Sequence, residues 1–377
     1  MNNFAPQSLS LQLLFWDYRT LRDPNKIGIY QKYLTLVTTP MQTDSKQHKR
    51  ASNWMEIVSK YNFSNPLMSW WQIINSVIPY ILLWVAMVWS LQVSYFLTLF
   101  LSVFAAGFMV RIFIIFHDCG HGSFFKSKLL SRIVGVIAGL LTFTPYHKWT
   151  HEHHEHHATV GNLDKRGIGD VKTLTIEEFL KLSPWEKFSY RFYRHPLFLF
   201  GIAPFLVFII QNRLPRRTMT KKQHLYLHLT NLTLVALIGL VMWAIGWEAY
   251  LLIQLPVLYI ASVHGVWLFY VQHQYENVMW TRAKEWNYKE IALGGSSYFK
   301  LPKVLQWFTG NIGFHHIHHL SPRIPNYKLP ICYEENKVFQ EVKPVTFFSS
   351  LRSLKLRLWD EKQNKLVGFS ALRYYSR

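Results

Sequence analysis

The chain has 377 residues, 50% hydrophobic and 16% aromatic, with 41 Lys and Arg against 21 Asp and Glu. A net charge of +20 suits contact with anionic lipid or with an acidic protein partner. Nucleic-acid binding is not predicted, because the basic residues are scattered and no nucleic-acid-binding motif occurs. Two cysteines outside any CxxC pair exclude a disulfide framework.

The first 72 residues predict a polar cytoplasmic segment. Residues 10–20 show a weak amphipathic pattern that is compatible with a helix. The start of the chain lacks the basic region and the long apolar core of a signal peptide, so we expect no cleaved leader.

Four long apolar runs follow, and they predict transmembrane helices. Each is about 20 residues or longer, enough to cross about 30 Å of hydrocarbon. Two shorter apolar runs, Ile133–Tyr146 and Leu197–Gln211, are too short to span, and we expect them to lie in the interface or to dip into the bilayer. The predicted spans form two hairpins: Ile73–Gln92, Val93–Phe116, Leu225–Trp247 and Ala249–Gln272.

The distribution of basic residues predicts the orientation of these spans. The turns inside the two hairpins carry no Lys or Arg, whereas the N-terminal segment, the 117–224 segment and the chain after 272 do. By the positive-inside rule these three parts and both termini face the cytoplasm. The predicted fold is an all-α integral membrane protein with a cytoplasmic helical cap. We assign residues 1–72 to the N-terminal segment, 73–319 to the membrane domain and 320–377 to the C-terminal cap.

Histidines are concentrated in three motifs on the predicted cytoplasmic side: HDCGH at 117–121, HEHHEHH at 151–157 and HHIHH at 315–319. Histidines spaced i, i+3 and i+4 lie on one face of a helix. Eight imidazoles can therefore converge, more than one metal ion needs, and we predict a two-metal site. Its ligands would be His117, His121, His153, His156, His157, His315, His318 and His319.

Four other histidines have a less clear relation to the metal site. His151, His154 and His316 fall off the shared faces, so we leave them out of the ligand set. His273 follows the fourth span at the depth where the second span ends, so it is either a ninth ligand or an ordinary interfacial histidine.

Polar neighbours could orient these imidazoles. Gln272 and Glu276 flank His273 and are candidates for that role. Asp164 and Asp170 lie in the loop GNLDKRGIGD, where capping or turn roles are favoured over contact with imidazole.

The ligand types leave the metal and the reaction open. Imidazole suits iron, zinc, copper and nickel alike. An intramembrane zinc protease needs HExxH, which is absent because Glu155 and Ala158 stand where the second histidine would be. A metal transporter would carry ionisable ligands within its spans, where only His264 lies deep. A hydroxylase or ketolase of alkanes, sterols or carotenoids would use similar histidines and stays an alternative.

The segments HDCGHGSFF, WTHEHHEHHATVGNLDKRGIGD and GNIGFHHIHHLSPRIPNYKL resemble the three histidine boxes of the membrane fatty acid desaturases. The closest pattern is that of the omega-6 (Δ12-type) acyl desaturases in their bacterial form. The resemblance runs from about Ile73 to the C-terminus, and the order of boxes and spans agrees. It implies two non-haem Fe ions and O2 as oxidant. The implied metal ligands are His117, His121, His153, His156, His157, His273, His315, His318 and His319.

The same resemblance implies the reaction and its partners. A cis double bond would be introduced into an acyl chain carried by a membrane lipid or a thioester, as a step of unsaturated fatty acid biosynthesis. No fused cytochrome b5 domain is apparent, so two electrons would come from a separate ferredoxin or cytochrome b5-type protein. No catalytic residue beyond the metal ligands is predicted.

Overall fold

A computed structural model describes residues 54–167 and 169–375. The structure divides after Lys60, and the architecture below is that of Tyr61–Arg377. The amphipathic helix predicted at residues 10–20 lies outside the described residues. The domain limits at 72 and 319 stay predictions.

Helices dominate this part of the chain. Short non-α helical turns also occur: a π-helical turn at Leu197–Ile202 and 3-10 turns at Gln211–Arg213, Asn326–Lys328, Leu351–Lys355 and Phe369–Tyr374. In chain order, the α-helices are α1 Pro66–Ser90, α2 Tyr95–His121, α3 Lys128–Leu141, α4 Tyr146–Thr159, α5 Ile176–Leu180, α6 Pro184–Tyr193, α7 Ala203–Ile209, α8 Lys221–Ile245, α9 Trp247–His273, α10 Tyr288–Gly294, α11 Lys303–Phe308, α12 His315–Leu320, α13 Leu329–Glu335, α14 Lys337–Gln340 and α15 Phe347–Ser350.

Short strands connect the C-terminal part of the chain to earlier segments. The strands are β1 Leu174–Thr175, β2 Phe299–Lys300, β3 Val345–Thr346, β4 Leu358–Asp360 and β5 Lys365–Val367. Strand β4 pairs in parallel with β1 and antiparallel with β5, and β2 pairs in parallel with β3. Pairing with β1 holds the C-terminal segment against the chain that follows the second histidine motif.

The four predicted spans are confirmed as α1, α2, α8 and α9, each long and apolar enough to cross a membrane. Helices α1 and α2 form one hairpin, and α8 and α9 form the other. Helix α2 also packs against α9. Asn65 caps the start of α1 through its side chain, which accepts hydrogen bonds from the backbone N–H groups of Leu67 and Met68. Gly246 alone joins α8 to α9 at φ +89°, a conformation that favours glycine. The all-α membrane fold with two hairpins is therefore as predicted.

The surfaces of the spans fit a lipid environment. Large apolar side chains are widely exposed on them, for example Phe96, Leu232 and Trp243. A charge inside a membrane is costly unless it is buried and paired. Arg111 of α2 is buried, with its guanidinium 3.8 Å above the Trp307 ring and a hydrogen bond to the Trp307 carbonyl.

The two shorter apolar runs lie in bent helix pairs. Helices α3 and α4 meet at 101°, and α6 meets the segment Leu197–Arg213 at 52°. Such a break fits a segment that dips into the bilayer, as predicted, and also fits a broken span. The bend after α3 directs α4, which carries the second histidine motif, towards the ends of α2 and α9.

Candidate metal centre

Two membrane helices end at the site. His117 and His121 occupy the last turn of α2, which stops at Gly122 in the left-handed conformation at φ +67°. His273 is the last residue of α9. Helix α2 thus continues beyond Phe116, the predicted end of the second span, and carries the first motif.

Two further helices bring the other motifs. The second motif lies within the 14-residue helix α4, and the third forms most of the six-residue helix α12. Every residue of α12 is buried. Helical geometry in both motifs gives the one-face arrangement expected from their spacing.

Nine imidazoles converge in two groups, and within each group one ligand atom per residue lies within 4.8 Å of all the others. We call the groups cluster I and cluster II. Cluster I consists of His117, His121, His153, His157 and His318. Cluster II consists of His156, His273, His315 and His319. The two clusters touch, because the ring of His157 stacks on that of His319 with centroids 4.1 Å apart.

The nitrogen spacing fits a metal ion. Two imidazoles in adjacent positions of an octahedral ion, each at about 2.1 Å, would place their nitrogens about 3.0 Å apart. In cluster II, Nε2 of His273 lies 2.9 Å from Nε2 of His315 and 3.2 Å from Nε2 of His156. Two Nε2 pairs in cluster I both measure 3.1 Å.

Hydrogen bonds among the rings account for only part of this convergence. Nδ1 of His273 faces the Gly295 carbonyl at 3.2 Å, and Nδ1 of His117 faces Asp118 at 3.0 Å. Both acceptors require the ring proton on Nδ1, which leaves Nε2 as a bare lone pair. Nε2 of His117 and of His121 is buried without a hydrogen-bond partner. Lone pairs that converge in this way favour a bound cation.

Most of the nine rings are buried, and burial favours the uncharged form of imidazole. Burial holds the pKa values of His315, His318 and His319 well below the ordinary histidine value, and neighbouring imidazoles add to the effect. Neutral imidazole is the form that binds metal. Trp149 stacks on the ring of His153, with centroids 4.3 Å apart, and Phe269 packs on His156 at 5.1 Å.

The histidines left out of the ligand set lie outside both clusters. His151 points towards Glu155, with its Nε2 3.9 Å from the carboxylate. His316 is buried but places Nε2 3.1 Å from the Phe339 carbonyl. His154 packs its ring 5.5 Å from that of His121 without joining cluster I.

The expected orienting partners are partly wrong. Gln272 donates to the Ile312 carbonyl and Glu276 pairs with Arg352, so neither orients His273, whose ring faces the Gly295 carbonyl instead. Backbone carbonyls leave no signal in a sequence.

The acidic partners also differ from expectation. Asp164 pairs with Arg282, but Asp170 places Oδ1 2.7 Å from Nδ1 of His156, the role that was not favoured. Asp118 was missed altogether, although its place beside His117 in HDCGH was a signal.

Comparisons with known proteins identify a family that this chain matches. Residues 93–349 match the family model described as fatty acid desaturase. A fatty acid desaturase of Bacillus subtilis (strain 168) is 45% identical over 333 residues, covering 88% of this chain and 94% of that protein. The sn-1 acyl-lipid omega-3 desaturase (ferredoxin) of Synechocystis is 29% identical, with 66% of this chain and 65% of that protein covered. The chloroplastic omega-6 fatty acid desaturase of Arabidopsis thaliana is 26% identical, with 59% and 49% covered.

The match to the family model covers more than half of the chain, and the Bacillus relative is aligned over nearly its whole length. The membrane spans and the two histidine clusters that could hold metal agree with that assignment. The chain therefore belongs to the fatty acid desaturase family, and it is a membrane oxidoreductase that acts on acyl substrates.

Proposed function

We propose that the chain introduces a cis double bond into an acyl chain at a di-iron centre, with iron bound to the nine histidines of clusters I and II. The convergence of nine imidazoles in two adjacent groups carries this proposal. A site for one metal would need about half as many ligands.

The reaction balances with O2 as oxidant. A CH2–CH2 unit, O2, two electrons and two protons give CH=CH and two molecules of water. Bound iron would supply the redox chemistry for removing hydrogen from an unactivated carbon, which no amino-acid side chain provides. Around it, acceptors at Nδ1 hold His117 and His273 in their metal-binding tautomers, and Trp149 and Phe269 shield the site from water.

The orientation in the membrane follows from charge. Both termini and all three histidine motifs lie on the cytoplasmic side, because the two hairpin turns carry no Lys or Arg. That arrangement puts the clusters within reach of cytoplasmic electron carriers.

Electrons come from a separate protein, a ferredoxin or a cytochrome b5-type carrier. The Synechocystis relative is named as a ferredoxin-dependent enzyme. Electron carriers of this type are often acidic, and a net charge of +20 favours fast association with an acidic partner.

Expression in a host that lacks polyunsaturated lipids tests the proposal. The expected result is a new double bond in the acyl chains, mapped by mass spectrometry, together with two irons per purified chain. A matched His318→Ala variant removes one ligand of cluster I and should give no product. Hydroxylated or oxidised products in place of new double bonds would favour the hydroxylase or ketolase alternative.

A further inference from the structure

Beside cluster I lies a buried carboxylate whose partners are a histidine and an asparagine. Asp118 is 1% exposed. Its Oδ1 lies 3.0 Å from Nδ1 of His117, and its Oδ2 accepts hydrogen bonds from the backbone N–H and side-chain amide of Asn326 at 2.7 and 2.9 Å. None of these partners is a Lys or Arg. A carboxylate removed from water in this way is costly unless a positive charge lies nearby.

Asn326 is itself fixed from two sides. Its Oδ1 accepts a hydrogen bond from Nε2 of Gln72 at 3.0 Å, and its carbonyl accepts one from Asn311 at 3.3 Å. Gln72 belongs to the first span, whereas Asn326 begins the 3-10 turn after the third histidine motif. A polar chain thus runs from Gln72 through Asn326 and Asp118 to His117.

This chain sets the tautomer of a proposed ligand. A carboxylate only accepts hydrogen bonds, so it requires the proton of His117 on Nδ1. Nε2 then points its lone pair into cluster I, where it is buried and has no protein partner. A metal ion bound there would also place a positive charge near the Asp118 carboxylate.

We propose that Asp118 and Asn326 are positioning residues for cluster I. They hold His117 in the metal-binding tautomer, and the carboxylate is stabilised by the bound ion rather than by a basic side chain. This inference rests on the metal centre proposed above and adds two residues that do not touch the metal.

Asp170 offers a comparison in cluster II. Its Oδ1 lies 2.7 Å from Nδ1 of His156, but the ring N–H is not aligned with it as a hydrogen bond. The side chain is also 20% exposed, so water can stabilise its charge. Removing the charge of Asp170 should therefore have a smaller effect than removing that of Asp118.

The test uses the full chain in detergent, stripped of metal and reloaded with Fe2+ under anaerobic conditions. In Asp118→Asn, the amide must present an N–H either to Asn326 or to His117. The second arrangement places the ring proton on Nε2, inside cluster I. We expect one of two metal sites to lose about 10- to 100-fold in affinity, measured by chelator competition.

The Tm of the metal-free protein distinguishes a positioning role of Asp118 from a purely structural role. Asp118→Asn leaves no Lys or Arg unpaired, so the Tm of the metal-free form should stay level or rise while metal affinity falls. Asn326→Leu, of similar size but without hydrogen-bonding groups, should weaken the same metal site. If the Asp118→Asn protein does not accumulate in cells, the metal affinity of Asn326→Leu tests the inference instead.

A matched control is Asp164→Asn, because Asp164 pairs with Arg282 at the surface. It should change neither metal affinity nor metal-free Tm. Unchanged affinity in both Asp118→Asn and Asn326→Leu, with two metals bound to wild type, would overturn the inference and leave the metal centre intact. A lower metal-free Tm with unchanged affinity would overturn it as well. A wild-type chain that binds no metal would overturn both proposals.

Discussion

Replacing His273 by alanine tests the part of the metal centre that no local spacing predicts. Its Nε2 lies within 3.2 Å of two other cluster II nitrogens, so the variant keeps three of four imidazoles there. Binding of a metal by four protein ligands amounts to about 10–16 kcal/mol in zinc-finger peptides, or roughly 2.5–4 kcal/mol per ligand. We therefore expect the affinity of cluster II to fall by about two to three orders of magnitude.

Iron content and chelator competition on the purified variant measure this effect. One iron per chain should remain, held by the five histidines of cluster I, and desaturation should stop. His264→Ala is the matched control, because His264 lies on the same helix, is exposed, and faces the Ile260 carbonyl. Two tightly bound irons in His273→Ala, with His264→Ala unchanged, would refute the assignment of His273 as a ligand.

Further predictions concern other parts of the chain. His156→Ala should abolish product and lower bound iron while the protein still inserts, whereas His154→Ala should reduce turnover only mildly; both are checked by product analysis, and full inactivation of His154→Ala would mean that the ligand face is misassigned. Reporter fusions at Gly161 and Arg377 should both report the cytoplasm, since the outer turns lack basic residues; a signal from the opposite side in either would contradict the topology. Gly310→Ala should destabilise the protein by about 1–3 kcal/mol in thermal unfolding, because Gly310 has φ +51° and a Cβ there would lie 2.7 Å from a buried isoleucine of α2; a wild-type melting curve would count against it.

Much of this fold can be predicted from sequence because hydrocarbon imposes a length on each span. The second predicted span, Val93–Phe116, appears as Tyr95–His121, so its core is right and its ends shift by a few residues. Ends depend on caps such as Gly122, which the apolar pattern does not include. The strands are two or three residues long, too short to show any alternation.

The division of the histidines between clusters I and II could not be predicted from the sequence. The one-face rule selects the same members of each motif that the structure brings together, but it does not say which cluster each joins. His156 joins cluster II while His153 and His157 join cluster I, because α4 lies between the two groups and presents them to both sides. The contact between Asp118 and Asn326 joins residues 208 positions apart, and only the folded chain brings them together.

The ends of α2 and α9 also set the height of the metal centre in the bilayer. Helix α2 rises about 33 Å from Tyr95 to His117 at 1.5 Å per residue, close to the hydrocarbon thickness of about 30 Å. An acyl chain in the adjoining leaflet would therefore lie at nearly the depth of the clusters and need not first dissolve in water. Exposing a segment of ten methylenes to water would cost roughly 8 kcal/mol, at about 0.8 kcal/mol each. The length of the spans thus removes a partition barrier from substrate entry.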